Sequence, residues 1–123
     1  MKVRKAAGAL GAYVSGLDLT EIVSSNTLFA EVRALAVEHE VLFFRDQKVE
    51  ACVYQDFARR FGQVLGHPAY ALVPGTDEVQ ILESTPEQPS KIEKWHSDMT
   101  FLATPPMATL LCAEVIPPFG GDT

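Results

Sequence analysis

Apolar residues recur at helical spacing in two stretches of the chain. In the first, Leu28, Phe29, Val32, Leu35, Ala36 and His39 share one face, while Glu31, Arg33, Glu38 and Glu40 fall mostly on the other. This predicts an amphipathic helix over 27–39, with Ser24, Ser25 and Asn26 as N-cap candidates. In the second, Val53, Phe57 and Phe61, with Tyr54 beside them, predict a helix over about 49–61. Arg59 and Arg60 suit the negative pole of that helix as a solvated end, and Gly62 suits its C-cap.

Elsewhere the apolar residues form short runs bounded by turn formers. Residues 3–7 and 12–14 read as short extended pieces around Gly8 and Gly11, and 17–20 as a turn into the next element. Val41-Leu42-Phe43-Phe44 is short and aromatic, which favours a buried strand. Strands are also expected at 79–82 and 108–115. Pro68 forces His67 toward extended geometry, so Gly66-His67-Pro68-Ala69-Tyr70 is a loop. Pro86 and Pro89 mark a second loop, and Pro105-Pro106 breaks the chain again. Residues 117–123 read as an interior turn leading into a further strand.

Composition narrows the class. The chain has 123 residues, of which 47% are hydrophobic and 21% charged, enough for a packed core in one domain or part of one. Its formal net charge is -6 with no basic stripe, which argues against a nucleic-acid surface. The basic-then-apolar start resembles a leader, but Gly8, Gly11 and Gly16 interrupt it and no run is long enough to span a membrane. Two widely spaced cysteines, Cys52 and Cys112, read as a reduced, buried pair in the cytoplasm.

The candidate chemistry centres on Trp95-His96-Ser97-Asp98-Met99-Thr100-Phe101. In an extended segment, residues i and i+2 share a face, so His96 and Asp98 would point at one spot. An imidazole nitrogen and a carboxylate are two members of the 2-His-1-carboxylate triad that holds non-haem Fe(II). The bland alternative is a His–Asp hydrogen bond at a strand edge. His67 and Tyr70 offer donors for an anionic group from their loop, with Trp95 as a wall; the alternative is a solvent-facing His and a packed Tyr. His39 reads as a core or capping residue, and Met99, Phe101 and Phe119 read as core. Gly120-Gly121-Asp122-Thr123 is either a tight turn or a close backbone approach to a ligand, with the Thr hydroxyl as donor.

An ordered set of motifs then adds to these readings. Gly16-Leu17-Asp18-Leu19, Val41 to Gln47, Phe57-Ala58-Arg59-Arg60-Phe61-Gly62, His67-Pro68, Trp95 to Asp98 with Phe101 and Pro105-Pro106, and Gly120 to Thr123 occur in this order. The set resembles the N-terminal part of the taurine dioxygenase family of Fe(II)/2-oxoglutarate-dependent oxygenases. The resemblance implies an α+β, mainly β fold: part of a double-stranded β-helix, or jelly roll, with flanking helices. Residues 1–123 would be the N-terminal part of a single oxygenase domain. It implies His96 and Asp98 as Fe(II) ligands, Thr123 as a contact to 2-oxoglutarate, and His67 and Tyr70 as holders of a small anionic substrate. That substrate is expected to be a sulfonate such as taurine or an alkyl sulfate, with other sulfonates and aryloxy acids as further options. The polar lead-in of the taurine enzymes is replaced here by Ile92-Glu93-Lys94. The implied reaction consumes O2 and 2-oxoglutarate and releases succinate and CO2 as the substrate is hydroxylated.

No His follows His96 and no Arg follows Arg60, so the family's third metal ligand and its distal arginines are absent. The expectation is a fragment inactive alone, whose open sheet edges invite self-association into homo-oligomers. The alternative is a non-catalytic module of the same descent that binds an anion or a partner.

Overall fold

A computed structural model describes residues 1–68, 70–89 and 94–119. They form a small α+β unit, a three-stranded mixed sheet with three helices. In chain order the elements are β1 (Lys2–Lys5), β2 (Ala12–Ser15), α1 (Leu19–Ser24), α2 (Asn26–His39), β3 (Leu42–Phe44) and α3 (Ala51–Arg59). The sheet order is β1-β2-β3. β1 pairs antiparallel with β2, placing Arg4 opposite Tyr13, and β3 pairs parallel with β2, placing Phe43 opposite Tyr13. The parallel pair needs a crossover, and α1 and α2 provide it.

Alternation along β2 decides which side of the sheet faces the helices. Ala12 and Val14 are buried, while Tyr13 looks outward beneath the Arg4 guanidinium, 4.4 Å from its ring centroid. The core gathers Leu19, Ile22, Phe29, Val32 and Phe57, with Leu42, Phe44, Tyr54, Phe61 and Leu110 packed against it. Phe29 meets Phe61 edge-on at 5.0 Å, and Phe57 meets Phe61 at 5.3 Å and 89°. Such edge-to-face pairs add ring electrostatics to the area that these side chains bury.

Both periodic segments are helices, and Ser25 is the N-cap of α2, its hydroxyl accepting from the Leu28 N–H at 3.3 Å. His39 is buried at the end of α2, as its place on the apolar face implied. The segment read as a turn at 17–20 instead opens α1. Asp18 caps it in a capping box: its carboxylate accepts from the Thr20 N–H at 2.7 Å, and Glu21 accepts from the Asp18 N–H at 2.9 Å.

Other expectations are corrected. β3 is only half-buried, because it lies at a sheet edge. The strand expected at 79–82 is reduced to one bridge, Leu72 to Gln80, flanked by Val73–Val79 and Ile81–Ala71 backbone hydrogen bonds. Residues 108–115 are not a strand; Leu111 and Val115 are exposed, since no strand among the described residues pairs with them. Phe101 and Phe119 are exposed rather than core, and both cysteines are exposed free thiols rather than buried ones. Arg60 is not a solvated helix end: it donates to the Val23 carbonyl at 2.8 Å and to Asn26 Oδ1 at 2.9 Å, and stacks over Phe29. Arg59 pairs with Glu78 at 2.6 Å. Among the described residues no jelly roll is seen, and no helix is long and apolar enough to cross a membrane.

Two of the sequence motifs prove to be scaffold. The Gln47 amide donates to the carbonyls of Leu17 and Arg45, at 3.2 and 3.1 Å, and its oxygen accepts from the Leu19 N–H at 3.1 Å. One side chain thus ties Gly16-Leu17-Asp18-Leu19 to Arg45-Asp46-Gln47 and fixes where α1 leaves the sheet. Gln55, buried on α3, accepts from the Asp77 and Glu78 N–H groups at 2.8 and 3.0 Å and holds the irregular second half against the helices.

Candidate functional site

His96 and Asp98 come together, and a turn follows directly after them. Met99 adopts φ +54°, a left-handed conformation that costs energy for a side chain of this size, and Leu102 N–H closes a turn onto the Met99 carbonyl at 3.1 Å. The chain therefore reverses directly after Asp98. His96 Nε2 lies 3.1 Å from Asp98 Oδ1.

The other ring nitrogen has an acceptor of its own. Nδ1 lies 2.8 Å from the Lys94 carbonyl, which can only accept, so Nδ1 carries the hydrogen. In the neutral ring the Nε2 lone pair then faces the same space as Asp98 Oδ1. Two donors bound at right angles to one octahedral ion, each at about 2.1 Å, lie about 3 Å apart. The observed 3.1 Å fits a neighbouring pair of ligands. Both side chains are about half exposed, at 51% and 46%, so an ion can reach them. Among the described residues no group of three His, Cys, Asp or Glu is placed to hold a metal. Imidazole and carboxylate are donor types that suit Fe(II), and this pair could supply two of its ligands.

The substrate candidates form a second pair. The His67 and Tyr70 rings stand 5.4 Å apart, tilted by 54°, and both residues are exposed. Trp95 does not wall them in; it is fully exposed. Thr123 lies outside the described residues, as does the rest of the turn expected at 120–123.

Two polar residues at these pairs escaped the sequence reading. The Gln80 amide brackets His67, accepting from its N–H at 2.8 Å and donating to its carbonyl at 2.7 Å. The Thr109 hydroxyl donates to Asp98 Oδ2 at 2.8 Å. Neither has a spacing signal, because each acts across a loop.

The chain is 36% identical to an alkylsulfatase of Acinetobacter baylyi over all of its own length and 38% of that protein. It is 33% identical to an alpha-ketoglutarate-dependent sulfate ester dioxygenase of Pseudomonas putida, again over its full length and 40% of the relative. An (S)-phenoxypropionate/alpha-ketoglutarate-dioxygenase of Sphingobium herbicidovorans is 31% identical over 92% of this chain and 40% of its own. The chain thus spans about two-fifths of the length of the curated relatives it matches. Residues 2–123 match the family described as taurine catabolism dioxygenase TauD, TfdA, and the chain belongs to that family of dioxygenases.

Proposed function

We propose that this chain supplies two Fe(II) ligands and the substrate-facing loop of a 2-oxoglutarate-dependent dioxygenase that hydroxylates a small sulfate ester or sulfonate. The observation that carries the reading is the His96–Asp98 pair, set 3.1 Å apart, with Nδ1 against the Lys94 carbonyl so that Nε2 is the nitrogen turned toward Asp98. His96 and Asp98 would hold the ion. Bound iron would supply the redox chemistry that couples decarboxylation of 2-oxoglutarate to oxygenation of the substrate. His67 and Tyr70 bind the anionic head through ring N–H and phenolic O–H donors, which orients the carbon to be hydroxylated. Thr123 contacts 2-oxoglutarate in this reading. The jelly roll belongs to the same proposal, as the fold of the whole domain to which this α+β unit contributes.

Relatives named for sulfate esters favour an alkyl sulfate over taurine. The test is succinate release by the whole polypeptide with Fe(II), 2-oxoglutarate and O2. Release that depends on a linear alkyl sulfate and exceeds that with taurine is expected. Taurine as the better substrate would overturn the sulfate-ester assignment. Succinate release unchanged by His96→Ala would overturn the metal assignment.

A further inference from the structure

We infer that Thr109 is a positioning residue for the metal pair: its hydroxyl ties up one oxygen of Asp98 and aims the other at the ion. This rests on the reading of His96 and Asp98 as metal ligands. Thr109 Oγ1 donates to Asp98 Oδ2 at 2.8 Å, while Oδ1 faces His96 Nε2 at 3.1 Å. The two carboxylate oxygens therefore have separate partners. A carboxylate held by one oxygen presents the other to a metal in a defined direction and resists turning to bind through both.

The backbone explains why this position can do it. The turn at Met99 sends the chain away from Asp98, and bends at 102–104 and 107 precede its return, so that a residue 11 positions later reaches the carboxylate. The adjacent Leu110 is packed against the core cluster. Thr109, itself exposed, is thus next to an anchor point, and His96 and Asp98 sit on an exposed segment. The hydrogen bond connects the pair to the body of the molecule. His96 is held in a parallel way, by the Lys94 carbonyl.

The experiment is a Co(II) titration of the whole polypeptide, read by the visible absorption of the bound ion, with Co(II) standing in for Fe(II). Thr109→Val keeps the shape and removes the donor; Thr109→Ser restores the donor. Loss of a hydrogen bond to a metal-bound side chain costs about 10–100-fold in affinity. Thr109→Val is expected to weaken Co(II) by that factor and to alter the band shape, with Thr109→Ser within about threefold of the parent. The unfolding midpoint of the metal-free protein should be the same in all three. Equal Co(II) affinity in Thr109→Val and the parent overturns the positioning role, and the metal reading survives. Co(II) binding unchanged in His96→Ala overturns the metal reading, and the role of Thr109 falls with it.

Discussion

Gln80 holds both peptide groups of His67 with one side-chain amide, accepting from the N–H at 2.8 Å and donating to the carbonyl at 2.7 Å. The two residues are joined across a loop that has no ladder beyond the Leu72–Gln80 bridge. An amide that bonds both faces of one residue fixes its backbone orientation, and so the direction of its ring. Gln80→Leu removes both bonds at an exposed site, where each contributes about 0.5–1.5 kcal/mol. Global stability should change little, but exchange of the His67 amide hydrogen should rise by about tenfold, measured by NMR. Unchanged exchange would mean that Pro68 and the surrounding turn alone hold the loop.

Gln47 plays the corresponding part in the scaffold. Its three hydrogen bonds join the entry of α1 to the end of β3. Gln47→Leu leaves the Leu17 and Leu19 backbone groups short of partners in a half-buried site. The expected loss is about 2–4 kcal/mol, from about 1–3 kcal/mol per unsatisfied group partly relieved by water. Urea unfolding checks it. A loss below about 0.5 kcal/mol would show that the two motifs meet without this bridge.

The physical character of each element decides how legible it was. α2 and α3 are long enough for periodicity to show, and Ser25 marks the start of α2. α1 has only six residues, too few for a face to emerge. Its signal was the Asp18-x-x-Glu21 capping box, hidden inside a motif that reads as a turn. The strands expected at 79–82 and 108–115 failed for a different reason: an apolar run becomes a strand only beside a partner, which local pattern does not encode. At the site, the i, i+2 spacing brought His96 and Asp98 into view, and the turn at Met99 directly after them carries the chain away from the pair. Thr109 and Gln80 were invisible because their partners lie 11 and 13 residues away.

Asp18 makes stability respond to acid. Hydrogen bonds from Thr20 hold its carboxyl below the usual carboxylate range. A group lowered in the folded state stabilises it above the ordinary carboxylate pKa of about 4, and that contribution fades as the pH falls through the lowered folded value. Asp18→Asn keeps an N-cap acceptor but cannot titrate. Its unfolding midpoint should match the parent more closely at pH 3 than at pH 6, which thermal melts at the two values would check.

Among the described residues Ile22 and Val32 are the largest fully buried side chains, and they share the core cluster from α1 and α2. Ile22→Ala should cost about 2–5 kcal/mol, as truncations that leave a cavity do. Val37→Ala, on the exposed side of α2, should stay within about 0.5 kcal/mol. Equal losses in urea unfolding would place the core elsewhere.

Tyr54 shows that a strongly perturbed group need not be a functional one. Burial, with a smaller contribution from Cys112, pushes its phenol well above the ordinary tyrosine range. Its hydroxyl is buried and, among the described residues, has no hydrogen-bond partner. The ring packs against the core cluster on α3, away from the His96–Asp98 pair in sequence and in element. An unsatisfied buried hydroxyl costs free energy, so Tyr54→Phe should leave stability unchanged or raise it by up to about 1 kcal/mol in urea unfolding at pH 7. The sign with pH follows from the raised value. The folded state keeps the proton that the unfolded chain releases near pH 10, so the parent loses stability as the pH rises above about 10, toward the folded value. Tyr54→Phe removes that slope. A variant that is less stable at neutral pH would show that the hydroxyl has a partner after all. One that retains the alkaline decline would assign it to another group.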